Sequence, residues 1–142
     1  MRFWDTSAVL PLIIEEDLSE KVRGWLDHDS EVALWGLTRV ELASAIERRV
    51  REGRVDPRQR AAALRRAADF ADGAHEVTDL LVVRAKSIAL LARHALRAAD
   101  AAQLGAALVL AEPDPASVTM VVLDQRLADA ALREGLEVVS ER

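Results

Sequence analysis

Four carboxylates are placed so that a folded chain could gather them: Asp5, Glu41, Asp100 and Asp124. Asp5 follows Arg2-Phe3-Trp4, and Asp124 follows the apolar run from Val118 to Leu123, so both stand where a short strand is expected to end. Glu41 and Asp100 fall in segments of helical periodicity. Two acids at strand ends and two on flanking helices can point into one cleft. The chain has no cysteine, which excludes a thiolate metal site, and hard oxygen ligands select Mg²⁺ or Mn²⁺ over zinc. His28, His75 and His94 show no metal-ligand spacing. Such an acidic centre suits phosphodiester hydrolysis, because a divalent ion lowers the pKa of bound water and offsets charge building on the phosphate. Water attack leaves a 5′-phosphate. A route through a ribose 2′-hydroxyl needs an acid-base pair, usually with histidine, and no histidine pair is evident.

Each acid also has an ordinary structural explanation. Asp5 and Asp124 can cap the helices that follow them, since Asp is preferred at that boundary. Glu41 lies three residues after Thr38, the spacing of a reciprocal capping box. Asp100 stands in the first turn of its helix, where the macrodipole favours an anion, with Arg97 three residues before it. Asp100 is the hardest of the four to explain in this way. From Ala98 to Ala111 the only polar side chains are Asp100 and Gln103, and a helix apolar nearly all round is buried. A carboxylate there is costly unless it opens into a polar cleft or meets a cation.

The elements that must position these acids follow from periodicity and punctuation. Strands are expected at Arg2 to Trp4, Val32 to Trp35, Glu76 to Thr78, Val118 to Leu123 and Leu136 to Val139. Helices are expected from Asp5-Thr6-Ser7 to about Ile14 with a kink at Pro11, from Leu18 to Leu26, and from Thr38 to about Glu52. The last of these carries Val40, Ala43, Ile46 and Val50 as its apolar stripe. Gly53 and Asp56-Pro57 then turn the chain into a helix ending near Ala71. Further helices cover Leu80 to Arg93, Arg97 to Ala111 and a final segment opened by Asp124 and capped by Gly135. Short strands separated by helices, with no tight hairpin, imply mostly parallel pairing in a three-layer α/β sheet. In such sheets ligands sit at the carboxyl ends of strands where the strand order reverses. Trp4, Trp25 and Trp35 read as core residues rather than stacking platforms for bases.

The whole chain, 1–142, fits one domain: 142 residues, 51% hydrophobic and 30% charged. The apolar run from Ala8 to Ile14 is far shorter than the roughly 20 residues of a membrane span. Acidic Asp5, Glu15 and Glu16 bracket it, unlike a signal peptide, and the expected compartment is the cytoplasm. The net charge of −5 does not draw the chain onto nucleic acid. If four acids hold cations, however, the remaining 20 nearly balance the 19 basic residues. Eight arginines cluster at positions 48, 49, 51, 54, 58, 60, 65 and 66.

Four segments together resemble PIN-domain proteins of the VapC toxin type: Phe3-Trp4-Asp5-Thr6-Ser7-Ala8-Val9-Leu10, Thr38-Arg39-Val40-Glu41-Leu42, Leu96-Arg97-Ala98-Ala99-Asp100-Ala101-Ala102-Gln103-Leu104 and Leu123-Asp124-Gln125-Arg126-Leu127. The likeness spans essentially the whole chain, with the four acids in the family's order. It implies a parallel sheet with helices on both faces and metal-dependent endonucleolytic cleavage of RNA. It also implies a homodimer held inactive by a cognate antitoxin. Asp5, Glu41, Asp100 and Asp124 match the family's acidic cluster, and Thr6 or Ser7 its small hydroxyl residue. Where the family often shows Thr or Ser two positions before the last acid, this chain has Val122, which supplies no hydroxyl. The Arg48 to Arg66 region corresponds to one that contributes to antitoxin contact or the substrate groove.

Other chemistries fit less well. An aspartyl-phosphate site of the Asp-x-Asp-x-Thr kind fails at Ser7, and a metal-dependent adhesion site fails at Val9. No Gly-x-Gly-x-x-Gly follows the first strand, so a dinucleotide site is not indicated. A non-catalytic RNA- or protein-binding module with a structural metal remains the alternative.

Overall fold

Strands of three or four residues, each leading through helix to the next, have the crossovers that parallel pairing needs. A computed structural model describes residues 1–141; Arg142, the last residue of the expected domain, lies outside the described residues. The strands are β1 (Arg2–Trp4), β2 (Val32–Trp35), β3 (His75–Val77), β4 (Thr119–Val121) and β5 (Glu137–Val139). They form one sheet in the order β3-β2-β1-β4-β5, with every pairing parallel. Central β1 sets Phe3 beside Ala33 of β2 and Met120 of β4.

Alternation along these strands feeds two cores. Phe3, Ala33, Trp35 and Met120 point into a layer shared with α5 (Leu80–Arg93), α6 (Ala98–Ala111) and α7 (Gln125–Arg133). Trp4, Val32, Leu34 and Val121 point the other way, toward α1 (Thr6–Ile13), α2 (Ser19–His28), α3 (Thr38–Arg51) and α4 (Arg60–Asp72). The three-layer α/β reading holds. Trp4 and Trp35 are buried and Trp25 packs partly buried against the second core, so the tryptophans serve packing. No helix among the described residues is long and apolar enough to cross a membrane.

Two local expectations are corrected. The apolar stripe of α3 is not Val40, Ala43, Ile46 and Val50: the buried residues are Thr38, Leu42 and Ile46, and Val40 is 63% exposed. The helix is rotated so that the face carrying Val40 and Glu41 opens to a cleft. Nor is there a Thr38–Glu41 capping box, because α3 is preceded by Leu37 with no side-chain cap, and Glu41 is held by groups from other elements. Some ends also shift. The fourth strand keeps only Thr119–Val121 of the expected Val118 to Leu123, and the second helix begins at Ser19 and reaches His28. Gly135, at φ +95°, does follow α7 as its C-terminal glycine.

Helices α5 and α6 approach closely at one point. A methyl group on Gly105 would lie 2.6 Å from Ser87 Oγ and 3.3 Å from the Val83 carbonyl, which Ser87 Oγ already engages at 2.7 Å. Gly105→Ala is therefore expected to destabilise the fold by about 1–2 kcal/mol despite alanine's better helix propensity, with Ser87→Ala recovering part of the loss. Thermal melts of the single and double variants check this; an unchanged or raised midpoint for Gly105→Ala would refute it.

Candidate functional site

The strand order reverses between β1 and β4, and at that switch point the chain leaves the sheet through Asp5 and Asp124. Both acids cap the helices they open. Asp5 Oδ2 accepts the Ser7 backbone N–H at 3.1 Å and its hydroxyl at 2.5 Å, while Asp124 Oδ1 accepts the Leu127 N–H at 3.1 Å. Each cap uses one oxygen of its carboxylate, so capping and a place in the cleft are compatible.

Ser7 does more than cap. While its hydroxyl donates to Asp5, its oxygen accepts the Leu123 N–H at 3.0 Å and the Asp124 N–H at 3.3 Å. One hydroxyl thus ties the end of β1 to the loop after β4 and sets the spacing of the two aspartates. Val122, which supplies no hydroxyl, is fully buried in core. Thr6 turns the other way and donates to Glu41 Oε1 at 3.1 Å.

Gln103 completes this frame, and sequence reasoning gave it no role. Its amide, fully buried, donates from Nε2 toward Glu41 Oε2, Thr6 Oγ1 and Thr38 Oγ1, each at 3.1 Å. The signal was present: an amide on an otherwise apolar helix, three residues after Asp100 and so on the same side. What sequence could not show was that α1 and α3 would present three oxygens to one nitrogen.

A cavity of about 740 Å³ opens above this frame, lined by Thr6, Glu41, Asp100 and Asp124 together with arginines including Arg48, Arg97 and Arg126. Asp5, 4% exposed, lies outside the lining yet within electrostatic reach of the other acids. Burial, opposed by the Ser7 hydrogen bonds and reinforced by Asp100 and Asp124, pushes the Asp5 carboxyl up to about 6. Glu41 rises to about 7, through burial and then the charge of Asp5, against the pull of Gln103 and Thr6. Burial and the neighbouring Asp124 also raise Asp100, with Arg97 and Arg126 opposing.

Among the described residues, no three His, Cys, Asp or Glu side chains stand as a ready-made metal cage. Glu41, Asp100 and Asp124 share a cleft, and Asp5 shares their field from beneath the surface, rather than all four meeting at a single point. Their chemistry fits a hard divalent cation nonetheless: all four offer carboxylate oxygen, and burial and mutual repulsion raise three of them, a cost a cation's charge removes. The histidines stand apart from this cleft, His94 bonding the Glu134 carboxylate at 2.6 Å through Nε2.

The fold recurs in solved structures. A toxin-antitoxin complex from Klebsiella pneumoniae superposes with a TM-score of 0.65 at 13% identity, over 88% of each chain. FitAcB from Neisseria gonorrhoeae gives 0.66 at 18% identity, covering 97% of this chain and 96% of that one. FitAB bound to a DNA fragment gives 0.65 at 17% identity, covering 99% and 94%. None of the curated proteins matches the chain. The sequence profile of the PIN domain matches residues 2–133, nearly the full length, and on that match the chain belongs to the PIN domain family.

Proposed function

We propose that this single domain is a Mg²⁺- or Mn²⁺-dependent endoribonuclease, the toxin of a VapC-like toxin-antitoxin pair acting in the cytoplasm. The observation that carries this reading is the meeting of Glu41, Asp100 and Asp124 in one cavity directly above buried Asp5, at the switch point of a PIN-domain sheet. A structural neighbour described as a toxin-antitoxin complex supports a cognate antitoxin as partner. A homodimer follows from the resemblance to the same family.

Asp5, Glu41, Asp100 and Asp124 would hold the cation. When bound, it supplies the positive charge that makes water nucleophilic near neutral pH and offsets charge building on the phosphate. The chain's own residues set the stage for that. Ser7 keeps Asp5 and the Asp124 loop at fixed separation, and Thr6 and Gln103 each donate to one oxygen of Glu41, favouring its charged form against burial. Asp5 and Glu41, raised to about 6 and about 7, give up protons on binding, so activity rises with pH across the neutral range.

The test is cleavage of a panel of structured RNAs by purified protein with Mn²⁺ or Mg²⁺, against EDTA and an identically prepared Asp5→Asn control. Discrete metal-dependent cuts carrying 5′-phosphate ends, reduced roughly 100-fold or more in the control, are expected. Equal cutting by both preparations would mean a copurified nuclease. Metal binding without cleavage on any substrate would favour a binding module with a structural ion.

A further inference from the structure

The arginines sort themselves by what they touch. Of the eight between positions 48 and 66, five are engaged locally: Arg49 by Glu16, Arg54 by Glu52, Arg58 by Asp56, Arg60 by Glu47, and Arg66 by the Ile13 carbonyl. Arg48 instead lines the acidic cavity, exposed, on the same face of α3 as Glu41. Seven residues separate the two, about 10 Å along the helix axis. Arg48 therefore stands beside the acids without reaching their centre.

The opposite wall repeats the arrangement. Arg126, in the first turn of α7, lines the acidic cavity and also a second cavity of about 150 Å³, which it shares with Arg133. Arg126 and Arg133 are again seven residues apart on one helix face, both exposed. The second cavity also contains Asp129 and one edge of buried His94, so its charge is mixed although arginines mark both ends. The acids thus form a floor between a guanidinium on α3 and a line of guanidiniums on α7.

We propose that Arg48 on one wall and Arg126 and Arg133 on the other bind phosphates flanking the one above the acids, so that single-stranded RNA crosses the cleft from α3 to α7. This rests on the ribonuclease reading above and adds the path of the strand. A bound cation would offset the carboxylates beneath the reacting phosphate, and guanidiniums on either side would draw in the phosphates next to it. Guanidiniums bind phosphate through paired donors and carry no sequence information, so they set register and leave base choice to other contacts. The path also explains how a chain of net charge −5 engages a polyanion: the attraction is local to the groove.

The test measures binding of a fluorescent mixed-sequence oligoribonucleotide to the Asp5→Asn protein by anisotropy, across a range of salt concentrations with Mg²⁺ present. Asparagine keeps an oxygen for the Ser7 bonds, and the exposed arginines carry no packing role, so the variants fold. In that background Arg48→Gln, Arg126→Gln and Arg133→Gln should each weaken binding roughly three- to tenfold and reduce the salt slope by about 0.7, with the triple variant losing about 2. Arg65→Gln, at an exposed position on α4, should change neither. In the protein with Asp5 intact, Mn²⁺ affinity should not fall on these substitutions, since removing a neighbouring cation cannot weaken cation binding. If the parent binds RNA with a clear salt slope and the three variants match Arg65→Gln, the path is wrong while the ribonuclease reading stands. If the parent binds no RNA at any salt, the path falls, and the cleavage test above decides the ribonuclease reading separately.

Discussion

Asp5→Asn is expected to raise the thermal midpoint of the metal-free protein at pH 8 while removing its metal-dependent activity. The carboxyl of Asp5 is raised from its ordinary 3.8 to about 6, chiefly by burial. A group whose folded pKa lies above its unfolded value contributes stability that is complete below the unfolded pKa and lost as pH rises through the folded one. The window runs from about 4 to about 6, and above it the folded protein carries a penalty of about 3 kcal/mol from this residue. Asparagine presents an oxygen to both Ser7 donors without the charge, so it recovers much of that penalty, about 5 °C in midpoint for a chain of this size. Glu41, raised to about 7, adds a penalty of the same sign, reduced by its partial exposure. Melts in EDTA from pH 4 to pH 8 should therefore show the wild-type protein losing stability with pH and the variant losing less, the two converging at pH 4. Mn²⁺ at pH 8 should stabilise the wild type more than the variant, by mass action on the folded state. A variant less stable than wild type at pH 8 would refute the account.

Gln103→Leu is expected to lower Mn²⁺ affinity roughly 10- to 100-fold with little change in fold stability, the range typical of removing a group that orients a metal ligand. Leucine is close in volume and suits an apolar helix. It also removes the amide oxygen of Gln103, which is buried without a hydrogen-bond partner among the described residues, so part of the lost bonding is returned. What leucine cannot replace is the donor to Glu41 Oε2. Glu41 would then keep one constraint, from Thr6, and would carry its charge less readily beside Asp5 and Asp100. Titration of Mn²⁺ followed by electron paramagnetic resonance, alongside a thermal melt, separates the two effects. Unchanged affinity would show that Gln103 only fills space, and a collapse of the melt would show that the network serves the fold first.

These two residues mark where one-dimensional reasoning is strong and where it stops. Asp5 and Asp124 were legible because an acid at the end of a short apolar run, directly after β1 and three residues past the end of β4, emerges at the sheet's carboxyl edge. Asp100 was legible by contradiction, a charge on a helix otherwise fit only for burial. Glu41 was legible as a candidate, but its local explanation, a capping box with Thr38, proved wrong. A capping interaction depends on the helix's own first turn, whereas Glu41 takes its hydrogen bonds from α1 and α6.

Strand periodicity, helix punctuation and the absence of hairpin signals determined the three-layer parallel architecture, because those patterns are set by residues near in sequence. The order of the five strands, the rotation of α3 that buries Leu42 and exposes Val40, the Ser7 tie between β1 and the loop after β4, and the convergence of Thr6, Thr38 and Glu41 on Gln103 were decided only by tertiary packing. Each is a contact between elements far apart in the chain. Its geometry is fixed by which faces the two cores bury, and no local pattern carries that information.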